Sequence, residues 1–440
     1  MLDFEALLDR IRARHGEEAV RRVLERVEAE VSRDPKLTRL GALLLVAGEM
    51  GYLSREGEDR DSLRLADLVG GLRGMTVTCR VLGIKGPVQV SGRKVSYARV
   101  GDGSAKLDLV AWGEAAESLS RAQVGFGDAV RLTNVRVSER AGGLLELHVD
   151  ERSTVAKVEA PWIPPAGSMF ERSLSAGSRG PLDVEATVLG VGAPRSFAGP
   201  KGPSSVRSAL LLVGGFPALL SARDEHLAGE QLEPWTAYRF ASLRLKEGRL
   251  VTTSRTCASR SGPVSPEEAL GAVRVLGPSG RGYAPATNGR FWLRLGGEVP
   301  PQGEAVVIRS ARFEERGRAW FLVVGEREPV GAEVGGPLDV PLDSLAEGMR
   351  EVSVRGRLVG KSAVSEVRTA AGRVKAMAFW LTDGGRSIVC RAWREACDAV
   401  SGIPEGAEVR LRFVRVSRSR WGELEVHVDP ESEVEEIREA

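Results

Sequence analysis

Apolar residues recur at helical spacing over the first 50 positions and at every second position over much of the remaining chain. Phe4, Leu7, Leu8 and Ile11 keep a 3.6-residue period, as do Val20, Val23, Leu24, Val27 and Val31. Gly16 separates these two helices, and Asp34-Pro35 is a cap with proline at the first helical position. A third helix carries Leu40, Leu43, Leu44 and Val46 and ends near Gly51. Residues 51–62 are a polar linker. From residue 63 the period falls to two. Strands are predicted at 77–84, 95–100, 105–112, 128–137 and 144–149, with a short helix at 113–120 between the third and fourth.

The chain then repeats itself. GDAVRLTNVRVSERAGGLLELHV from Gly127 matches GAEVRLRFVRVSRSRWGELEVHV from Gly406, and His148 pairs with His427 at the same offset. DGSAKLDLVAWGEA from Asp102 matches DGGRSIVCRAWREA from Asp383, and LADLVGGLRGMTVTCRV from Leu65 matches LDSLAEGMREVSVRGRL from Leu342. The offsets change only where loops belong, so two copies of one unit bracket the chain. Five strands with a helix after the third is the layout of an OB-fold, a small partly open barrel.

The middle keeps this rhythm more weakly. Strands at DVEATVLG, SALLLV, YRFASLRL and RLVTTSRT, with a helix at 223–230, describe a divergent second unit. AVRVLG, RFWLRL, AVVIRS and AWFLVV describe a reduced third unit with no helix. The expected fold is mainly β: about four tandem OB-fold barrels, the third reduced, behind a small N-terminal helical domain. The expected divisions are 1–50 helical leader, 63–158 barrel 1, 159–180 Pro/Gly-rich linker, 181–262 barrel 2, 263–335 barrel 3 and 338–437 barrel 4.

Composition removes several function classes. Among 440 residues there is no apolar run long enough for a membrane span and no secretory h-region, and four Cys do not make a disulfide framework. A cytoplasmic protein is expected. The net charge of +2 is uneven: residues 1–62 carry about −3, residues 64–158 about +4, 181–330 about +4, and the last ten about −4. Basic barrels with an acidic tail suggest a polyanionic partner. No GxxxxGK[ST], HExxH or GxSxG occurs, and Cys390 and Cys397 lack zinc spacing. No enzyme activity, cofactor or metal is expected. His148 and His427 hold equivalent strand positions, so a structural role is expected for both.

Aromatic and basic residues concentrate where an OB barrel meets a single strand, on its second and third strands and the flanking loops. Trp112 and Trp393 end the third strands of barrels 1 and 4, and Arg391 shares a face with Trp393. A Trp beside a short helix also suits a barrel plug, so both readings stand. The loop after strand one supplies Lys85, Arg93 and Lys94 in barrel 1, and Lys361, Arg368, Arg373 and Lys375 in barrel 4. Arg394 follows Trp393. The last hairpin of barrel 4 carries Arg418, Arg420 and Trp421 at its tip, and Trp320 stands with Arg316 and Arg318 at a comparable hairpin in barrel 3. Phe291 and Trp292 should face opposite ways, and barrel 2 has Arg223 where a Trp is expected.

L-x2-L-x2-G-[LM]-R before strand one, then AW-x-EA, then V-R-L-x2-VRVS and LE-x-HV, resembles the single-stranded-DNA-binding OB domains of archaeal replication protein A, over 63–158 and 338–437. KLTRLGALLLVAGEMGYL resembles the helical leader of some members. The resemblance implies coating of single-stranded DNA in replication, repair and recombination, with stacking aromatics at Trp112, Trp393 and Trp421 and, more loosely, Trp320. Residues 1–50 are net acidic and should repel phosphate, so replication or repair proteins are the partners expected there or at the acidic tail. The cysteine-rich zinc element of many members has no counterpart here. Two other classes fit the residues: an OB-fold RNA-binding protein, and a protein-interaction scaffold. A nuclease or ligase with accessory OB domains ranks last, since no catalytic motif accompanies the barrels.

Overall fold

The computed structural model describes residues 4–33, 37–50, 52, 63–140, 142–174, 180–199, 202–227, 230–277, 282–331, 334, 339–369 and 372–437. Two compact units are formed, one by residues 1–170 with 255–259, the other by 171–254 with 260–440. The linker expected at 51–62 lies, save Tyr52, outside the described residues.

In the first unit, α1 (Phe4–His15), α2 (Glu17–Arg33) and α3 (Arg39–Glu49) form the leader. Val23, Val27, Leu43 and Val46 are fully buried, in one continuous apolar core with Leu63, Leu65 and the first barrel. That barrel consists of β1 (Met75–Val90), β2 (Arg93–Gly101), β3 (Lys106–Trp112), α4 (Glu114–Arg121), β4 (Ala129–Arg140) and β5 (Leu144–Val149), with β6 (Thr154–Lys157) added beside β4. The strand order 1-2-3-5-4 closes through a β1–β4 pairing, with β3 and β5 parallel, which is OB topology. Val77, Cys79 and Val81 alternate inward on β1 and are fully buried. Ala115, Ala116 and Leu119 of α4 close the barrel end. Residues 84–94, expected as a loop, are instead the extended β1–β2 hairpin, turning at Ser91 and Gly92, both with positive φ. Gly86-Pro87 interrupts the alternation that Val88 and Val90 continue.

Residues 159–170, expected as linker, pack on barrel 1. Arg80 donates to the carbonyls of Gly127, Ala160, Ile163 and Pro164 and pins the segment.

In the second unit, barrel 2 runs β7 (Leu182–Val191), β8 (Arg195–Gly199), β9 (Gly202–Val213), β10 (Phe216–Arg223), β11 (Thr236–Lys246) and β12 (Arg249–Val251). Its five main strands again close in order 1-2-3-5-4, β8 being a hairpin arm on β9. The helix expected at 223–230 is only a single 3-10 turn at Asp224–His226, with residues 228–229 outside the description. β13 (Cys257–Pro263) and α5 (Pro266–Leu270) follow, α5 started by a Ser265/Glu268 capping box.

Barrel 3 contains β14 (Ala272–Val275), β15 (Ala284–Thr287), β16 (Trp292–Gly297), β17 (Ala305–Ile308), β18 (Ala311–Arg316), β19 (Ala319–Val324) and β20 (Arg327–Pro329). β17 and β18 are two halves of a fourth strand broken at Arg309–Ser310, so the OB order survives the break. No helix lies between β16 and β17 among the described residues. A cleft of about 320 Å³, lined by Val275, Tyr283, Leu295, Val299 and Pro300, opens at the end such a helix closes elsewhere.

Barrel 4 repeats barrel 1: β21 (Val352–Lys361), β22 (Ser365–Thr369), β23 (Gly372–Thr382), β24 (Ser387–Trp393), α6 (Ala396–Ser401), β25 (Glu408–Arg418), β26 (Leu424–Val428) and β27 (Glu433–Ile437). Both copies share a bulge on the fourth strand, at Asn134 (φ 54°) and at Phe413 (φ 57°). The acidic tail is not a free segment over 433–437. It is β27, and Glu433 and Glu435 are paired with Arg412. Residues 438–440 lie outside the description. No helix among the described residues is long and apolar enough to cross a membrane.

Candidate nucleic-acid interface

The outer face of β23, β24 and β26 is set by strand alternation. Met377, Phe379 and Leu381 point into the barrel and are buried, which turns Trp380 outward, 40% exposed. Register then places Trp380 beside Val389, Ala378 beside Arg391, and Ala376 beside Trp393. Val389 and Arg391 in turn lie beside Glu425 and His427. One face therefore carries two tryptophans and an arginine.

Trp393 is neither a plug nor loose. It lies outside the apolar core of the barrel and is half-exposed. Its Nε1 donates to His427 Nδ1 at 3.0 Å, and the two ring planes are nearly parallel, 10° apart. Burial, then Arg415, hold the His427 imidazole far down, at about 3, so it is neutral at pH 7. A neutral ring accepting at Nδ1 carries its proton on Nε2, which lies 2.7 Å from Ser417 Oγ. The chain Trp393–His427–Ser417 thus holds an indole flat at the strand end. Barrel 1 builds the same pair: Trp112 Nε1 donates to His148 Nδ1 at 3.2 Å, the rings 9° apart. The structural role expected for the histidines is this one.

At the Trp393 end, Arg373, Lys375 and Arg394 line a basic cleft of about 390 Å³ shared with Glu395 and Asp398. Arg373 and Lys375 are largely exposed, and their nearest carboxylates are 3.9 and 4.0 Å away. Lys361 does not join them. Its ammonium donates to the carbonyls of Ser401 and Ile403 at 2.9 and 2.6 Å, fixing the end of α6. Arg391 lies on the face but is paired with Glu425 at 2.9 Å. At the opposite end, Trp421 is 71% exposed on the β25–β26 turn, with the Arg420 guanidinium 3.9 Å from its ring centroid. Arg418 is turned toward Glu347 at 3.3 Å. Trp393 and Trp421 therefore stand at two ends of the face. The five strand steps from Ile388 to Trp393 alone span about 17 Å, and Trp380 lies between them. Sequence reasoning missed Trp380, although the alternation of Met377, Phe379 and Leu381 signals it.

The other barrels use the equivalent face internally. In barrel 1, Arg99 and Asp108 stand where barrel 4 has Trp380 and Val389, and they form a buried pair at 3.0 Å. Arg255 is inserted there. It pairs with Glu146, lies 3.3 Å from Asp108, and its guanidinium is 5.4 Å from the Tyr97 ring centroid. Val95, Val110 and Glu146 are buried in consequence. Barrel 1 thus presents an acidic receptor filled by an arginine of its own chain. Lys94 there is paired with Glu117 at 2.6 Å, Lys85 is half-buried on β1, and Arg93 is exposed at the hairpin end.

On barrel 3, Phe291 faces the core and Trp292 faces out, but both are buried. Phe413 of barrel 4 covers Trp292 and Tyr283 edge-on at 5.9 and 6.0 Å, with the Arg294 guanidinium 3.9 Å from its ring. On barrel 2, Leu189, Leu210 and Leu219 join the core of barrel 3. A Cβ at Gly190 would lie 2.6 Å from Phe313 and 2.8 Å from the Trp320 ring. Trp320 is only 3% exposed, so the site role expected for it is wrong. Its hairpin docks on barrel 2, and the ring packs between two barrels instead of facing solvent. Barrel 4 leaves this face open around Trp380, whereas barrel 2 is covered at Leu189, Leu210 and Leu219 and keeps Arg223 exposed, 5.5 Å from the ring of Phe197. All four cysteines of the chain are buried, and no group of His, Cys, Asp and Glu could hold a metal ion among the described residues.

No protein-family model matches the chain, and no curated protein matches it. Solved structures similar to it include a replication protein A heterotrimer bound to single-stranded DNA. That match has 9% identity and a TM-score of 0.36, over 86% of this chain and 96% of that one. The replication factor A related protein of Methanobacterium thermoautotrophicum is 25% identical over 24% of this chain and 96% of its own, with a TM-score of 0.21. The second OB-fold domain of replication protein A from Methanococcus maripaludis is 17% identical over 23% of this chain and 98% of its own, with a TM-score of 0.20. The OB assignment rests on strand order and closure.

Proposed function

We propose that the chain binds single-stranded nucleic acid, DNA in the first instance, on the open face of barrel 4. One observation carries the reading. The open face of barrel 4 bears exposed Trp380 and a hydrogen-bonded Trp393, with basic side chains at both ends. Bases stack on such indoles at about 1–3 kcal/mol each, and every base has a π-face, so binding is tolerant of sequence. Arg373, Lys375, Arg394 and Arg420 supply phosphate contacts. The residue-level resemblance to archaeal replication protein A supports the same reading. It extends the role to coating single strands during replication, repair and recombination.

The test is a labelled single-stranded oligomer titrated against its duplex and its RNA equivalent at several salt concentrations. The single strand should bind tighter than the duplex, with an affinity falling at about −0.7 per phosphate contacted. Equal affinity for duplex and single strand, or no salt dependence, overturns the proposal. Preference for the RNA oligomer replaces DNA by RNA.

A further inference from the structure

Barrels 2, 3 and 4 meet at a cluster of arginines on β25 and the turns packed against it, where Arg415 lies beside His427 in strand register. The β11–β12 turn is seated on β25: a Cβ at Gly248 would lie 2.8 Å from Val416 O and 2.9 Å from Ser417 Cβ. Only glycine fits, at φ 69°. Ser417 is the residue that holds His427, so the turn touches the support of Trp393. Arg350 enters the same junction. Its backbone N–H donates to Pro217 O of barrel 2 at 3.0 Å, and the neighbouring Met349 accepts from Val416 at 2.9 Å. Arg350 is 8% exposed, yet its guanidinium makes no hydrogen bond or ion pair with a described residue. Arg415 is balanced by Asp429 at 2.7 Å. Arg249, on the seated turn, and Arg318, on the β18–β19 turn, are exposed and have no ion pair among the described residues.

These groups feel one another. Burial pushes the Arg350 guanidinium down to about 10, with Arg415 and Arg249 adding to the shift and Glu351 and Asp429 opposing it. Arg249 is held below its ordinary value by desolvation first, then by Arg415 and Arg318, against Asp429 and Glu247. Four guanidiniums thus share one junction with the carboxylates of Glu351 and Asp429, and two of them, Arg249 and Arg318, are exposed without an ion pair among the described residues.

Building on the reading of barrel 4, we propose that Arg249, Arg318, Arg350 and Arg415 form a phosphate cradle that takes the backbone of the same single strand where it leaves the Trp393 end of the face. The bound length then exceeds what one barrel covers, and barrels 2 and 3 contribute through their turns. The ligand group is a phosphodiester. Sequence recognition has no part in it.

The test uses the full chain with Arg249→Ala/Arg318→Ala, both exposed and outside the cores, against oligomers of about 6 and about 20 nucleotides, bracketing the range one OB barrel covers. The long oligomer should bind about tenfold more weakly to the variant, with its salt slope reduced by about 1.4 for two lost contacts. The short oligomer should bind both proteins alike. Equal binding of the long oligomer by both proteins overturns the cradle as part of the DNA path. If inorganic phosphate binds the parent and not the variant under that outcome, the arginines serve free phosphate. Equal loss on both oligomers overturns the cradle as a separate site. If the parent binds neither oligomer, the reading of barrel 4 fails and the cradle with it.

Discussion

Trp393→Ala separates stacking from structure. The indole is half-exposed, lies outside the barrel core, and is held by one hydrogen bond to a buried neutral histidine. Removing it forfeits about 1–3 kcal/mol of base stacking, or about 5- to 150-fold in affinity. It also leaves His427 Nδ1 without its donor in a buried site, at about 1–3 kcal/mol of fold stability. A barrel plug would cost more, about 3–5 kcal/mol, because a cavity would form. Trp112→Ala is the matched control, since it breaks the same kind of Trp–His pair in barrel 1, beside the face occupied by Arg255. Fluorescence anisotropy with a labelled single-stranded oligomer, read beside thermal melting, measures both quantities. Trp393→Ala should lose affinity with a modest fall in melting temperature, and Trp112→Ala should keep its affinity within about twofold. Equal affinity losses in the two variants would refute the assignment of binding to barrel 4, and an unchanged affinity in Trp393→Ala would refute stacking there.

Trp320→Ala should behave in the opposite way, destabilising the second unit by about 3–5 kcal/mol in thermal or denaturant melts while the folded protein keeps its affinity, because the ring is packed between barrels 2 and 3. Acid should weaken barrel 4 through His427. Its folded value of about 3 lies below the ordinary value near 6.5, so its contribution is complete above about pH 6.5 and is lost as pH falls toward 3. The loss is on the order of 3–5 kcal/mol, and protonated Nδ1 can no longer accept from Trp393. Denaturant melts of parent and His427→Gln across that range should show a steeper acid decline in the parent, and parallel curves would contradict the linkage.

The barrels are legible in the sequence because alternation and an internal repeat point to the same answer. The bulge at Asn134 recurs at Phe413 within that repeat, and the Trp–His pair recurs at both ends of the chain. Trp380 is equally legible from alternation, but it sits just beyond a stretch whose composition suggests a long loop. The closed faces are not legible. Arg255 in SRTCASRS looks like any surface arginine until the fold brings it to Asp108, 147 positions away. Trp320 between Arg316, Arg318 and Phe321 has the composition of a binding hairpin, and only the narrow gap at Gly190 shows that its ring is enclosed. Local pattern reports which side of a strand a residue occupies. Whether that side meets solvent or another barrel depends on long-range packing, which leaves no local period.

Hydrogen exchange of the full chain with and without a saturating single-stranded oligomer tests the location of binding most directly. Protection should rise over 372–394 and 418–427, the strands and turn that frame Trp380, Trp393 and Trp421, and should stay unchanged over 93–112 of barrel 1. Protection centred on 93–112, or absent from 372–394, would contradict the placement of the single strand on barrel 4.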